Sequence, residues 1–115
     1  MTPEETAKLA VEAALDKKAC DLKLLHVTEL TTLADYYVIC TGTSNTQMRA
    51  IAESVEKKMS ENGMQPLHTE GYGSASWVLI DFGTVIVHIF NKDVREFYSL
   101  ERLWNDAESV DPESL

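Results

Sequence analysis

No apolar run in this chain comes near the ~20 residues that a membrane-crossing helix requires, so a spanning helix is excluded. The opening Met1-Thr2-Pro3-Glu4-Glu5 has neither the basic region nor the apolar core of an export signal. It also lacks the Arg-rich, acid-poor character of an organelle transit peptide, so the expected location is the cytoplasm. Basic residues are scarce: 10 Lys and Arg stand against 19 Asp and Glu, a net charge of −9. A phosphate backbone is repelled by such a field, which argues against direct DNA or extensive nucleic-acid binding. A basic protein partner is favoured instead, through faster encounter more than through affinity.

Cysteine is nearly missing too. Cys20 is expected just past a helix and Cys40 at the end of a strand. One disulfide is arithmetically open, but a reducing compartment favours two small, packed, free thiols. With His26, His68 and His88 these cysteines show no metal-ligand spacing, and no cofactor is expected. There is no internal repeat and no linker.

What remains is an ordinary globular composition, 44% apolar and 25% charged over 115 residues, which fits one domain. Thr2, Pro3 and Glu5 have the spacing of a capping box with proline at the first helical position. The helix they open is expected to run to about Lys18. Its thin apolar stripe of Leu9, Ala10, Ala13 and Ala14 needs a sheet to cover it. Leu22 to Val27 and Ala34 to Cys40 read as strands, the second rich in β formers. Thr41-Gly42-Thr43-Ser44-Asn45 reads as a turn ending in a helix cap. The helix that follows places Met48, Ile51, Ala52, Val55 and Met59 on one face and ends near Gly63. Pro66 to Glu70 reads as a short strand, and Gly71 to Ser74 as a loop. Trp77 to Asp81 and Val85 to Phe90 form a hairpin joined at Phe82-Gly83-Thr84. Asp93 to Tyr98 and Ser99 to Trp104 read as short helical turns. From Glu108 the tail is acidic, contains Pro112 and is expected to fray. The sum is a single α/β domain over residues 1–105, a mixed sheet of about five strands flanked by helices, with a flexible acidic tail over 106–115.

Chemistry is hard to find on this frame. The turn at Gly42 precedes a helix N-terminus and could cradle a phosphate, but the later glycines and the lysine of a nucleotide loop are missing. A glycine turn with a Ser/Thr cap explains it as well. A nucleotidyltransferase needs two carboxylates two residues apart on a strand to hold metal ions. Here Asp81 stands alone, flanked at those positions by Leu79 and Gly83. Asp81-Phe82-Gly83 matches the kinase metal-binding tripeptide, yet no glycine loop or catalytic loop accompanies it. It reads as a turn. His88, between Val87 and Ile89, reads as a partly buried, hydrogen-bonded strand residue. Trp77, Tyr98 and Trp104, with Phe90 and Phe97, concentrate aromatics in the second half of the chain. Aromatic residues serve equally as core and as interface anchors.

Three segments resemble one family, the ribosomal silencing factors, also called the Iojap family. They are Ala34 to Asn45; Glu70-Gly71-Tyr72 with Trp77 to Gly83; and Val85 to Phe90 with Arg95-Glu96-Phe97-Tyr98 and Leu100 to Trp104. Their order and spacing match over roughly residues 2 to 105. The resemblance implies a fold like that of nucleotidyltransferases without their catalytic carboxylate pair, and so a binding protein rather than an enzyme. It implies a translational repressor that binds the large ribosomal subunit at ribosomal protein fourteen and blocks association with the small subunit when nutrients are scarce. It also implies a homodimer when free. Carried onto this sequence, the family's contacts point to Trp77, Leu79, Asp81, His88, Phe90, Arg95 and Tyr98, with Trp77 and Tyr98 as apolar anchors and Asp81 as an acceptor for a basic side chain. Thr84 departs from the pattern, because the family often carries an acidic residue after the hairpin glycine. The competing reading is a nucleotide-binding or nucleotidyl-transferring enzyme that uses the Gly42 turn.

Overall fold

The computed structural model describes residues 1–28, 34–73, 76–93 and 108–115. Helix α1, Pro3–Asp16, starts as its sequence dictates: the Thr2 hydroxyl accepts from the Glu5 N–H at 3.1 Å and donates to the Glu5 carboxylate. It ends earlier than expected. Lys17 is already the cap, and Lys18 takes a positive φ of 61° as the chain turns into the sheet. Strand β1, Cys20–His26, and strand β2, Tyr36–Gly42, follow. Helix α2, Asn45–Glu61, then precedes strands β3, His68–Glu70, β4, Trp77–Asp81, and β5, Val85–Asn91.

The strands form one mixed sheet in the order β3-β4-β5-β2-β1-β6, where β6 is Glu108–Ser109. Among the described strands the central pair, β2 with β5, is parallel and the other neighbours are antiparallel. The described strands number six where about five were expected, and the sixth lies in the C-terminal segment. Leu25 pairs with Ser109, and the Val110 N–H donates to the Leu24 carbonyl at 2.8 Å. Val110 and Leu115 pack against the core. A strand of two residues has no periodicity to read, and Pro112 opens a 3-10 turn here instead of disrupting order.

Helices α1 and α2 pack on one face of the sheet. Ala7, Ala10, Ala13 and Ala14 of α1, and Met48, Ile51, Ala52, Val55 and Met59 of α2, share a core with Val38, Cys40, Ile80, Val87 and Ile89. The five apolar positions of α2 are those its helical spacing predicts. The alanines bring the helices close enough for the Ser54 hydroxyl to donate to the Ala13 carbonyl at 2.8 Å. Cys40 is buried as expected. Cys20 corrects the reading of two packed thiols, because it begins an irregular stretch of β1 and is exposed. The opposite face carries a separate cluster: Leu25, Val27, Ala34, Tyr37, Ile39, Ile86 and Phe90, with Trp77 and Leu79 packed against it.

Candidate functional site

The β4–β5 hairpin builds the site. A tight turn closes it, with the Phe82 N–H bonded to the Val85 carbonyl at 2.9 Å and the Gly83 N–H to Asp81 Oδ1 at 2.7 Å. The turn reading of Asp81-Phe82-Gly83 is therefore right, and one carboxylate oxygen of Asp81 is occupied in holding it. Side chains alternate across a strand, so Trp77, Leu79 and Asp81 fall on the face away from the helices. Their ladder partners there are Phe90, His88 and Ile86, in that order. Five of the seven candidate residues are thereby brought together. Arg95 and Tyr98 lie outside the described residues, as do Phe97, Trp104 and most of the helical turns expected around them.

The five are not equivalent. Trp77, Leu79 and Asp81 are half-buried and keep surface to offer. Phe90 has no exposure and His88 only 5%, so both stand behind the surface. Trp77 stacks on Phe90 with ring centroids 5.1 Å apart. Its indole N–H donates to Nδ1 of His88 at 3.2 Å, along a diagonal of the ladder. The Tyr37 ring meets His88 edge-on at 4.9 Å. Burial lowers the His88 pKa to about 4, so its imidazole is neutral. Burial also raises the Tyr37 hydroxyl pKa, and the charge of Asp81 adds to that shift. His88 Nε2 is buried without a hydrogen-bond partner among the described residues, at a cost of about 1–3 kcal/mol.

Two loops frame the hairpin. At Gly71, φ is +83° and a Cβ would lie 2.0 Å from the Trp77 carbonyl oxygen, so only glycine lets this loop pass the start of β4. Tyr72 next to it donates to the Glu56 carboxylate of α2; burial and that bond push its pKa up. On the other side, the Leu67 N–H bonds to the Asp81 carbonyl at 2.8 Å, while its side chain is 75% exposed. Leu67 was expected inside a strand from Pro66 to Glu70, but β3 begins at His68 and leaves this large apolar residue exposed beside the hairpin turn.

The Gly42 turn is closed on itself. Ser44 caps α2 by accepting the Gln47 N–H at 3.1 Å. Gln47 Oε1 in turn accepts both the N–H and the hydroxyl of Thr43, and its amide donates to the Lys17 and Lys18 carbonyls. The Thr43 N–H and hydroxyl and the Gln47 N–H are thus engaged within the chain. A Cβ on Gly42 would come within 2.7 Å of Met48 Cγ, so this glycine serves close helix–strand packing. His26 Nε2 pairs with the Thr28 hydroxyl at 2.9 Å and His68 Nε2 with Glu70 at 2.8 Å. Among the described residues no group of three or more His, Cys, Asp or Glu is placed to hold a metal ion, and no helix is long and apolar enough to cross a membrane.

The family described as "Ribosomal silencing factor during starvation" matches residues 1–115. A ribosomal silencing factor from Halalkalibacterium halodurans is 44% identical over 115 residues, covering all of this chain and 98% of the relative. One from Bacillus subtilis is 42% identical, covering 96% of this chain and 94% of its own length. A crystal structure of a Chromobacterium violaceum protein superposes with a TM-score of 0.89 at 41% identity, covering 91% of this chain and 88% of that one. The chain belongs to the ribosomal silencing factor family.

Proposed function

We propose that this member of the ribosomal silencing factor family binds the large ribosomal subunit through ribosomal protein fourteen, on the face that meets the small subunit. Bound there, it lowers translation under nutrient limitation by occupying the space that subunit joining requires. Membership of the family over the whole chain carries the reading. The β4–β5 hairpin supports it, with Trp77, Leu79 and Asp81 reaching the surface over His88 and Phe90. Trp77 is the apolar anchor; the carboxylate oxygen of Asp81 not used in the turn is the acceptor for a basic side chain. Arg95 and Tyr98 complete the contact set.

Occlusion needs affinity and bulk, not catalysis. A standard interface takes about 800 Å² from each partner, roughly an eighth of the 6404 Å² this chain exposes. The net charge of −9 speeds encounter with a basic protein surface. The free protein is a cytoplasmic homodimer in this reading. A nucleotidyl-transferring enzyme is disfavoured by the lone carboxylate of Asp81 and by the engaged donors of Thr43 and Gln47.

The test is co-sedimentation of the purified protein with isolated large and small subunits at low and moderate salt. Migration with the large subunit alone, and fewer joined ribosomes once small subunits are added, is the expected result. No association at either salt removes the ribosomal function.

A further inference from the structure

Trp77 reaches the surface, and its value to a partner depends on where its ring points. Stacking on Phe90 sets the plane of the indole, but a stacking contact is only weakly directional within that plane. The bond from its N–H to Nδ1 of His88 adds a directional constraint on where the N–H edge points. His88 is itself held, between the Tyr37 ring at 4.9 Å and the Phe90 ring at 6.3 Å.

A neutral imidazole has one donor and one acceptor nitrogen. With Nδ1 accepting from Trp77, the proton sits on Nε2, which is buried without a partner among the described residues. An unpartnered buried N–H is unfavourable. Valine, isoleucine or phenylalanine would avoid that cost in a strand that already reads Val85-Ile86-Val87-His88-Ile89-Phe90. What histidine supplies and they do not is an acceptor aimed at Trp77. We infer that His88 is a positioning residue: its Nδ1 holds the Trp77 indole in the orientation that the partner meets, and His88 touches no partner itself. The inference rests on the function proposed above. Burial keeps the imidazole neutral, so the acceptor is present throughout the physiological pH range.

The test is a binding series on isolated large subunits with the full chain: wild type, His88→Phe, His88→Asn, His88→Gln, Trp77→Ala, and Trp77→Ala with His88→Phe. Circular dichroism first establishes that each is folded. The oxygen of Asn falls where Nδ1 sits; that of Gln lies one bond too far. His88→Phe is expected to weaken binding about three- to tenfold, the value of one neutral hydrogen bond. His88→Asn recovers most of the loss, and His88→Phe adds nothing once Trp77 is alanine. In the free protein, the Trp77 indole N–H resonance of His88→Phe moves upfield and exchanges faster with solvent. An unmoved resonance, or a His88 effect that persists without Trp77, overturns the inference while leaving subunit binding in place. If wild type itself does not sediment with large subunits, the proposed function falls and the role of His88 with it. Should His88→Phe unfold, the other pair decides: Asn binding better than Gln upholds the inference, and equal binding overturns it.

Discussion

Phe90 lies directly across the ladder from Trp77, with the two rings stacked at 5.1 Å; one has no exposure and the other is half-buried. The pair divides the work of the hairpin, since Phe90 belongs to the packed cluster and Trp77 closes it while facing outward. Truncating them should therefore fail differently. Phe90→Ala removes a fully buried ring and should cost about 3–5 kcal/mol. Trp77→Ala should cost about 1–3 kcal/mol, leave the circular dichroism spectrum intact and sharply weaken binding to large subunits. Urea unfolding beside co-sedimentation separates the two. Loss of folding in Trp77→Ala would make the indole a core residue and not an anchor.

His88 should make stability depend on pH. Its ordinary pKa of 6.5 is lowered to about 4 in the fold. Above the ordinary value both folded and unfolded chains are neutral there, and stability is full. As pH falls from 6.5 towards 4, the unfolded chain takes up the proton first, so stability is lost across that window. By pH 4.5 the loss from this group should reach about 2–3 kcal/mol. Urea unfolding at pH 7.5 and 4.5 should show a larger drop for wild type than for His88→Phe. Equal drops would mean that the folded imidazole accepts the proton readily.

Gly71→Ala should destabilise more than Gly42→Ala. At Gly71 the added methyl meets the Trp77 carbonyl oxygen at 2.0 Å, on a backbone with φ of +83°. At Gly42 its nearest neighbours are Met48 Cγ at 2.7 Å and the Met48 backbone nitrogen at 3.1 Å, a milder clash than the 2.0 Å approach to a backbone oxygen at Gly71. About 1–3 kcal/mol is expected for Gly42→Ala, the usual cost of overpacking, and more for Gly71→Ala. Thermal melts of the two variants check the order, and the reverse order would place the tighter constraint at α2.

Ending the chain after residue 107 should lower stability by about 1–3 kcal/mol, because it strips an edge strand and two packed apolar side chains. The losses are the β6 ladder, the Val110 bond to Leu24, and the contacts of Val110 and Leu115. Denaturant unfolding of the shortened chain measures it. An unchanged midpoint would mean that β6 contributes nothing to the fold.

The elements that repeat a period were legible in the sequence. The five buried positions of α2 and the hairpin from Trp77 to Phe90 follow from spacing, and the α1 cap follows from Thr2 and Glu5. What could not be read was long-range. Nothing local to Glu108 says that it will pair with His26. Cys20 is exposed, next to a positive φ of 46° at Asp21 that no pattern announces. The site was half-legible for the same reason. The family resemblance pointed to Trp77, Leu79 and Asp81, and the pairing of β4 with β5 puts them on one face. The diagonal bond from Trp77 to His88 needs the register of two strands, and the closure of the Gly42 turn needs Gln47 to reach back to Thr43 and Lys18.

The parallel pairing of β2 with β5 has a kinetic side. Tyr36 meets Val85 only after α2, β3 and β4 have been laid down between them. The entropy of closing so long a loop must be met before the sheet returns any of it. The two antiparallel arms, β1 with β2 and β4 with β5, are local and should form early. Joining them down the middle should set the folding rate. During synthesis the edge of β2 that β5 will cover therefore stays open until Asn91 has emerged, and misassembly at that edge is expected in that interval.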